Sequence, residues 1–375
     1  MKLYLDHAAA TPLDPRVAKK MQAVAGCSGN PSSLHIPGRI AATVLEQARN
    51  TVAALLHAQK EEIIFTSGGT ESVNLAIKGV AFQKKQGHII TTQIEHAAVL
   101  ETCKYLESKG FSVTYLPVDK YGMVSVKALE KALRKDTFLI SIHYANNELG
   151  TIQPIPQLAA LAQRRKVLFH SDACQAGGLI LDVEKLKVDL LSLNGAKIYG
   201  PKGVGICYKR RDIMLEPLFH GGGQEQGWRS GMENVAAAVG FAAALELLQK
   251  EERKQEQKAI QLRRYCIQTL HRKLPDFVLN GHPTSTLPQL LSVSFPELDG
   301  ENIFKSLDHE GIYVSTGSAC QSHLVEISPV LKAMGLAEST ARGTIRLSFG
   351  KDTTKKDIKV LIKKLVAVVG ALRKV

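Results

Sequence analysis

The stretch EIIFTSGGTESVNLAIKGV, residues 62–80, contains the pattern on which the fold prediction rests. A short apolar run (62–66) leads into small and polar residues, and apolar residues at helical spacing follow them. Alternation of strands with helices predicts a mostly parallel seven-stranded sheet covered by helices, and continuously apolar strands predict burial of both faces. The six other strand-like runs are HIITT (88–92), FSVTYL (111–116), TFLISI (137–142), KVLFHSD (166–172), DLLSL (189–193) and VGICY (204–208).

The second half of the chain has a different pattern, which predicts a smaller α+β domain. Residues 234–274 are expected to form one or two long helices, and their first part is apolar nearly all round, which is typical of a buried helix. Strand-like runs such as GIYVST (311–316) and TIRLSFG (344–350) follow, with helical segments between them. We predict a large domain over residues 15–255 and a small domain built from residues 1–14 and 256–375.

Length and composition indicate a globular protein. The chain has 375 residues, of which 45% are hydrophobic and 22% are charged. It contains no apolar run of the roughly 20 residues that a membrane span needs, and its first residues lack the apolar stretch of a secretory signal. Six scattered cysteines without a CxxC pair favour neither a disulfide framework nor a metal site. We therefore expect a reduced, cytoplasmic protein with no membrane association.

The net charge of +13 is concentrated towards the end of the chain. Residues 351–375 carry eight Lys or Arg residues against Asp352 and Asp357. Their apolar residues recur at helical spacing, which predicts an amphipathic surface helix, and a patch for an acidic partner is the alternative. Aromatic residues make up only 6% of the chain and no RNA-binding signature is present, so direct nucleic-acid binding is not expected.

Small and polar residues follow five of the predicted strands, at the sheet edge where ligands bind in open α/β folds. Taken singly, each has a structural explanation as a turn, a helix cap or a paired side chain. Together they offer a phosphate cradle at a helix start, an aromatic ring, a buried acid and an amine, which is the set that pyridoxal phosphate requires. In chain order they are Gly69 and Thr70, His96, Asn147, Asp172 with Gln175, and Asn194 with Lys197.

Two residues of the predicted small domain are also candidates for catalysis or for substrate binding. Cys320 lies in the small, polar stretch STGSACQSH (315–323), where a thiol is exposed enough to be a nucleophile, although a tolerated surface cysteine fits as well. Arg346 lies mid-strand among apolar residues. A buried guanidinium requires a planar carboxylate partner, which is either a side chain or a substrate.

The chain resembles the cysteine desulfurase family of class V, fold-type I pyridoxal-phosphate enzymes, nearly from end to end. The spacing from Cys320 to Pro329-Val330-Leu331 is similar to that of the subgroup with an extended cysteine loop. The resemblance rests on YLDHAAATPLDPRV (4–17), GNPSSLHIPGR (29–39), FTSGGTESVNLAIKG (65–79), IEHAAVLETC (94–103), NNELGTIQPI (146–155), HSDACQAGG (170–178), KIYGPKGVG (197–205), HGGGQEQGWRSGMENV (220–235), STGSACQS (315–322) and TIRLSFG (344–350).

The resemblance implies a role for each candidate residue. Lys197 is expected to bind the cofactor covalently and to carry the Cα proton, and His96 to stack on its ring and act as acid and base. Cys320 is expected to attack the substrate sulfur. The remaining roles are pyridine-nitrogen pairing for Asp172, ring-hydroxyl binding for Gln175, phosphate binding for Gly69, Thr70 and Asn194, and substrate-carboxylate binding for Asn147 and Arg346.

The implied reaction converts L-cysteine to L-alanine and leaves a persulfide on Cys320. The sulfur then passes to an acceptor, either an iron–sulfur scaffold or a tRNA-thiolation protein, and the enzyme is expected to be a homodimer. Two alternatives stay open at this point. One is a selenocysteine lyase, which has related motifs, and the other is a catalytically weak scaffold of the same fold that only recruits acceptors.

Three positions depart from the family's pattern around the phosphate. Asn194 and Ala196 replace a common Ser and His, and Met232 replaces a Thr that typically reaches the partner subunit's phosphate. Asn194 can still donate a hydrogen bond, whereas Ala196 and Met232 cannot. Each lost hydrogen bond to a charged group costs about 1.5–3 kcal/mol, so we predict weaker cofactor retention than in a typical member.

Overall fold

The computed structural model describes residues 2–316 and 327–374. That part of the chain contains twelve strands and twelve α-helices. The strands are β1 (Leu3–Tyr4), β2 (Ile63–Thr66), β3 (His88–Thr92), β4 (Ser112–Leu116), β5 (Thr137–Ser141), β6 (Leu168–Asp172), β7 (Leu190–Asn194), β8 (Gly205–Lys209), β9 (Val278–Asn280), β10 (Leu290–Ser294), β11 (Ile312–Tyr313) and β12 (Thr344–Ser348). The helices are α1 (Pro15–Val24), α2 (Ile36–Leu56), α3 (Gly69–Lys84), α4 (Ala97–Glu107), α5 (Val126–Ala132), α6 (Ile155–Arg164), α7 (Val183–Leu186), α8 (Val235–Lys273), α9 (Gly300–His309), α10 (Pro329–Ala333), α11 (Glu338–Arg342) and α12 (Lys355–Leu372).

A seven-stranded sheet in the order β2-β8-β7-β6-β5-β3-β4 forms the centre of the molecule. The strands β4, β3, β5, β6 and β7 are parallel, and β8 lies antiparallel between β7 and β2. Each of the seven strand-like runs between residues 62 and 208 supplies one of these strands. The predicted α/β class with a mostly parallel seven-stranded sheet is therefore confirmed.

Both faces of this sheet are buried, because successive side chains of one strand enter different cores. Ile63 and Phe65 pack in one apolar cluster, whereas Ile64 between them packs in another. The same alternation separates Ile89 from Ile90. Helices therefore cover each face, as the continuously apolar strands predict.

A further core lies in the second half of the chain and also includes the first residues. Leu3 and Leu5 pack there with residues of α9, β10, β12 and α12. Helix α8 serves both cores, since its buried residues up to Leu248 belong to the core beside the large sheet and those from Leu262 onward to this one. Helix α8 is one continuous helix of 39 residues, so the stretch expected to form one or two long helices forms one. The domain bounds at residues 14 and 255 stay a prediction.

The basic end of the chain forms the amphipathic helix α12. A capping box of Thr354 and Asp357 begins it, and Ile358, Leu361 and Leu365 are among the residues that it buries in the second core. Its exposed positions include several of the lysines counted above. Neither α12 nor any other helix within the described ranges is long and apolar enough to cross a membrane.

His170 joins the three central strands of the sheet just below their carboxyl ends. Its Nδ1 lies 2.8 Å from Ser141 Oγ on β5, and its Nε2 lies 2.9 Å from Ser192 Oγ on β7. The side chain is fully buried, and this burial lowers the pKa of His170 to about 4. The imidazole is therefore neutral at physiological pH.

This buried imidazole predicts an acid-sensitive fold. Because the pKa of His170 is below the usual 6.5, the unfolded chain binds the extra proton first, so stability is full above pH 6.5 and falls as the pH drops towards 4. The pKa difference from 6.5 to about 4 corresponds to about 3 kcal/mol. Urea unfolding of His170→Asn between these pH values should show a shallower pH dependence than the parent. His309→Asn, on the exposed end of α9, is the control, and an equal change in slope there contradicts the assignment.

Candidate active site

Nine of the ten candidate residues line one cavity of about 230 Å³. Five loops that follow strands of the large sheet contribute to it, because the carboxyl ends of the parallel strands meet at one edge. Strand β12 of the second core supplies the remaining wall. The nine are Gly69, Thr70, His96, Asn147, Asp172, Gln175, Asn194, Lys197 and Arg346, and the tenth, Cys320, lies outside the described residues.

The amino end of α3 forms one end of the cavity. No side chain caps this helix, and the backbone N–H groups of Gly69 and Thr70 have no acceptor among the described residues. Asn194 Oδ1 accepts a hydrogen bond from the Ala196 N–H at 3.2 Å, which leaves its amide NH₂ group, next to Gly69, available to donate. Free amides, the helix dipole and a side-chain donor together suit an anionic group such as a phosphate.

Asp172 is the last residue of β6 and is 7% exposed. Burial opposes its ionisation, but hydrogen bonding from Cys174 and the nearby imidazoles of His96 and His170 outweigh burial, so the pKa of Asp172 is below its usual value. The Cys174 N–H donates to Asp172 Oδ1 at 3.0 Å. The cavity therefore contains a fixed negative charge, which suits a protonated ring nitrogen.

His96 caps the amino end of α4 and lines the cavity with its ring. The Ala98 N–H donates to His96 Nδ1 at 3.1 Å, so the proton of the neutral ring lies on Nε2. Burial lowers the pKa of His96; the charges of Asp172 and Glu95 raise it, and those of Lys197 and His143 lower it. The site therefore contains a neutral imidazole of defined tautomer.

Lys197 ends a short 3₁₀ turn that follows β7, and it faces the same cavity. Within residues 2–316 and 327–374 its Nζ has neither a hydrogen bond nor an ion pair. Gln175, three residues after Asp172, donates from Nε2 to the Ala8 carbonyl at 2.6 Å, which orients its side-chain amide. An unpaired amine beside an ionised carboxylate and a fixed amide is an arrangement suited to a carbonyl cofactor.

Arg346 lies in β12 and is 3% exposed. Its Nη2 contacts Asp6 Oδ1 at 2.6 Å and its Nη1 donates to the Asn147 carbonyl at 3.0 Å. Its Nε is buried and has no hydrogen-bond partner in the described structure. Asp6 is thus the carboxylate partner that a buried arginine requires, and Nη1 and Nη2 each keep a second N–H for a ligand.

No role is predicted from the sequence for three further residues near the cavity. Asp6 pairs with Arg346, and Cys174 packs between Asp172 and the start of α3. His143 is 3% exposed, and its Nδ1 lies 3.0 Å from Glu95 Oε1. His143 and Cys174 have a sequence signal, since both come soon after a predicted strand, whereas the pairing of Asp6 depends on a contact that local patterns do not encode.

A steric contact at the cavity floor gives a test of this geometry. A Cβ on Gly69 would lie 2.6 Å from Cys174 Sγ, so Gly69→Ala should displace the start of α3, lower stability by about 1–3 kcal/mol and weaken pyridoxal phosphate binding. Removal of the sulfur leaves Asn194 Cβ as the next neighbour, at an ordinary 3.4 Å. The double variant Gly69→Ala/Cys174→Ala should therefore regain affinity in equilibrium dialysis.

Cys174→Ala alone is the matched control and should bind the cofactor nearly as the parent does. A double variant as impaired as Gly69→Ala would contradict the predicted contact. Thermal unfolding of all three variants separates loss of affinity from loss of the fold.

Comparisons with known proteins agree on one family. The model of the aminotransferase class V family matches residues 3–361. A cysteine desulfurase IscS from Dictyoglomus turgidum is 47% identical over 99% of this chain and 95% of its own length. A human cysteine desulfurase is 44% identical over 99% of this chain and 82% of its own length.

Solved structures give the same result. A NifS-like protein superposes with a TM-score of 0.93 at 41% identity and covers 99% of this chain and 100% of its own. A structure described as SspA in complex with cysteine has a TM-score of 0.84 at 38% identity and covers 94% and 100%. The chain therefore belongs to the aminotransferase class V family and, within it, to the pyridoxal-phosphate-dependent cysteine desulfurases.

Proposed function

We propose that this protein takes the sulfur of free L-cysteine, releases L-alanine and holds the sulfur as a persulfide on Cys320. The observation that carries the proposal is the single cavity lined by nine residues that the family's motifs single out. The relatives' names and the cysteine in the SspA structure support the choice of substrate.

The residues present fit pyridoxal phosphate. The free N–H groups of Gly69 and Thr70 would hold its phosphate, Asp172 its ring nitrogen and Lys197 its aldehyde carbon. When bound, the cofactor withdraws electrons from the substrate's Cα, which acidifies the Cα–H bond and weakens the bond from Cβ to sulfur. The weaker retention predicted from Ala196 and Met232 stays a prediction, and Met232 is 67% exposed.

Arg346 and Asn147 would orient the substrate. The remaining N–H groups of Arg346, which lines the cavity, can donate to a carboxylate, and its contacts with Asp6 and the Asn147 carbonyl fix the plane of the guanidinium. A bound amino acid then has its carboxylate at the β12 wall and its side chain turned into the cavity. Such positioning aligns the Cα–H bond with Lys197 before any bond breaks.

Proton transfers would involve Lys197 and His96. The amine of Lys197 takes the Cα proton, and because no ion pair holds it in the described structure, it is free to move. His96 offers an N–H at Nε2, since its Nδ1 is occupied by Ala98. The neutral ring can donate a hydrogen bond to the substrate through Nε2, and full transfer of that proton requires prior protonation at Nδ1, which displaces the Ala98 N–H.

Cys320 is proposed as the nucleophile partly because four other cysteines are unsuited to the role. Burial raises the pKa of Cys103, Cys207 and Cys266 to about 12 and that of Cys174 well above its usual value. Ser315 exchanges two backbone hydrogen bonds with Arg346, whose side chain lines the cavity. Five residues of chain span at most about 18 Å, and this limit on the distance from Ser315 to Cys320 supports the assignment.

The sulfur-transfer step balances without an oxidant. The Cys320 thiolate attacks the substrate's sulfur, a sulfur–sulfur bond forms, and the bond from Cβ to sulfur breaks with its electron pair left on carbon. The three-carbon fragment then takes up protons and leaves as alanine. We further propose a homodimeric, cytoplasmic enzyme that passes its persulfide to a scaffold protein for iron–sulfur clusters or to a tRNA-thiolation protein.

Intact mass after incubation of the holoenzyme with cysteine tests the proposal. The parent should gain the mass of one sulfur atom, and Cys320→Ser should gain none because it lacks the thiol. Cys27→Ser, which changes a partly exposed cysteine, is the matched control and should gain the atom as the parent does.

Two results would contradict the proposal. A parent enzyme without the adduct that turns over selenocysteine but not cysteine would be a selenocysteine lyase. A parent that binds no cofactor and forms no alanine, but still binds acceptors, would be a scaffold.

A further inference from the structure

Glu148 carries an interaction that the proposed chemistry does not use. It follows Asn147 in the loop after β5, and its Oε2 accepts a hydrogen bond from Ser328 Oγ at 2.5 Å. Ser328 also accepts from the N–H groups of Val330 at 3.1 Å and Leu331 at 3.4 Å, so it caps α10. The carboxyl of Glu148 thus fixes the residue at which the chain emerges from the segment that contains Cys320.

The same carboxyl lies close to the substrate-binding wall. Burial raises the pKa of Glu148 to about 7, although the Ser328 hydroxyl and the charge of Arg346 both lower it. Arg346 in turn donates to the carbonyl of Asn147, the residue before Glu148. Glu148 therefore joins Ser328 to the loop that holds the substrate's carboxylate.

Residues next to Glu148 and Ser328 in the chain form an apolar contact. Ile94 and Leu149 from the large-sheet loops pack with Val330, Leu331 and Met334 of the α10 region. A polar bond beside such a contact has little competition from water, and it fixes the orientation in which the apolar surfaces meet. The Glu148–Ser328 bond therefore sets where α10 begins relative to the cavity.

Cys320 consequently lies between two points of the chain that are tied to the same wall. On one side, Ser315 exchanges backbone hydrogen bonds with Arg346. On the other side, eight residues after Cys320, Ser328 is tied to Glu148. A group tethered at both ends has a higher effective concentration at its target than one tethered at a single end.

We propose that Glu148 is a positioning residue for sulfur transfer, which holds Ser328 so that the thiol of Cys320 is delivered to the substrate bound at Asn147 and Arg346. This inference rests on the proposed function. It assigns Glu148 to the transfer step and to no earlier one, because its carboxyl makes no contact with the residues that would hold the cofactor. Loss of the anchor slows persulfide formation and leaves cofactor and substrate binding intact.

Two measurements on the holoenzyme separate these steps. Stopped-flow absorbance of the bound cofactor after cysteine addition reports substrate binding, and quenched intact mass reports persulfide on Cys320. Glu148→Ala and Ser328→Ala should each leave the absorbance change as in the parent and slow persulfide formation about tenfold, as the loss of one hydrogen bond to a charged group would. The double variant should be no slower than either single one.

Matched variants distinguish positioning from general damage. Glu148→Gln retains an acceptor for the Ser328 hydroxyl and should recover a rate within about twofold of the parent. Glu338→Ala removes an exposed glutamate on α11 and should have no effect. Thermal unfolding identifies any variant that has lost the fold. If Glu148→Ala is such a variant, the single variants Glu148→Gln and Ser328→Ala test the inference.

Three outcomes overturn the inference. Persulfide formation at the parental rate in Glu148→Ala shows that the anchor is not used. Rate losses that multiply in the double variant show that the two residues act separately. If the parent forms no persulfide on Cys320, the proposed function is overturned as well. If the parent forms the persulfide and Glu148→Ala forms it at the same rate, only this inference is overturned.

Discussion

The buried guanidinium of Arg346 is the point on which the rest of the site depends. It lies in a strand of the second core, yet it contacts Asp6 near the start of the chain and the carbonyl of Asn147 beside the large sheet. Its backbone also pairs with Ser315, five residues before Cys320. A buried cation must keep such partners, so one residue fixes the wall of the cavity and one end of the cysteine segment, and the proposed function also assigns to it the substrate's carboxylate.

The large sheet supplies the other half of the site, which consists of side chains with defined protonation states. Asp172 is held ionised at the end of β6, and the imidazoles of His170 and His96 are kept neutral largely by burial. Asp172 and His170 lie in β6 and His96 follows β3, two parallel strands with β5 between them, so their convergence comes from the parallel topology. The parallel strands thus place a carboxylate, a neutral imidazole and the Lys197 amine around one cavity.

Much of this arrangement could be predicted from the sequence, because it follows from local patterns. The apolar runs predicted all seven strands, and eight side chains of the cavity come at or just after the ends of those strands. The ninth, Arg346, stood out as a charged residue within an apolar strand. The pairing of Arg346 with Asp6 could not be predicted, since 340 residues separate them and no local sequence pattern at either residue indicates the other as its partner. The same holds for Glu148 and Ser328, and the unbroken α8 was ambiguous because its charged middle has helical residues but no apolar face.

The central claim is that this cavity holds pyridoxal phosphate on Lys197, and borohydride reduction followed by peptide mapping tests it most directly. Lys351 and Lys258 are the competing lysines, since both line a neighbouring cavity that shares Gln175 and Lys197 with the proposed site. Peptide mapping distinguishes them from Lys197. Reduction of the yellow holoenzyme should leave the pyridoxyl group on the peptide that contains Lys197. A pyridoxyl group on Lys351 or Lys258, or on no lysine at all, would contradict the account.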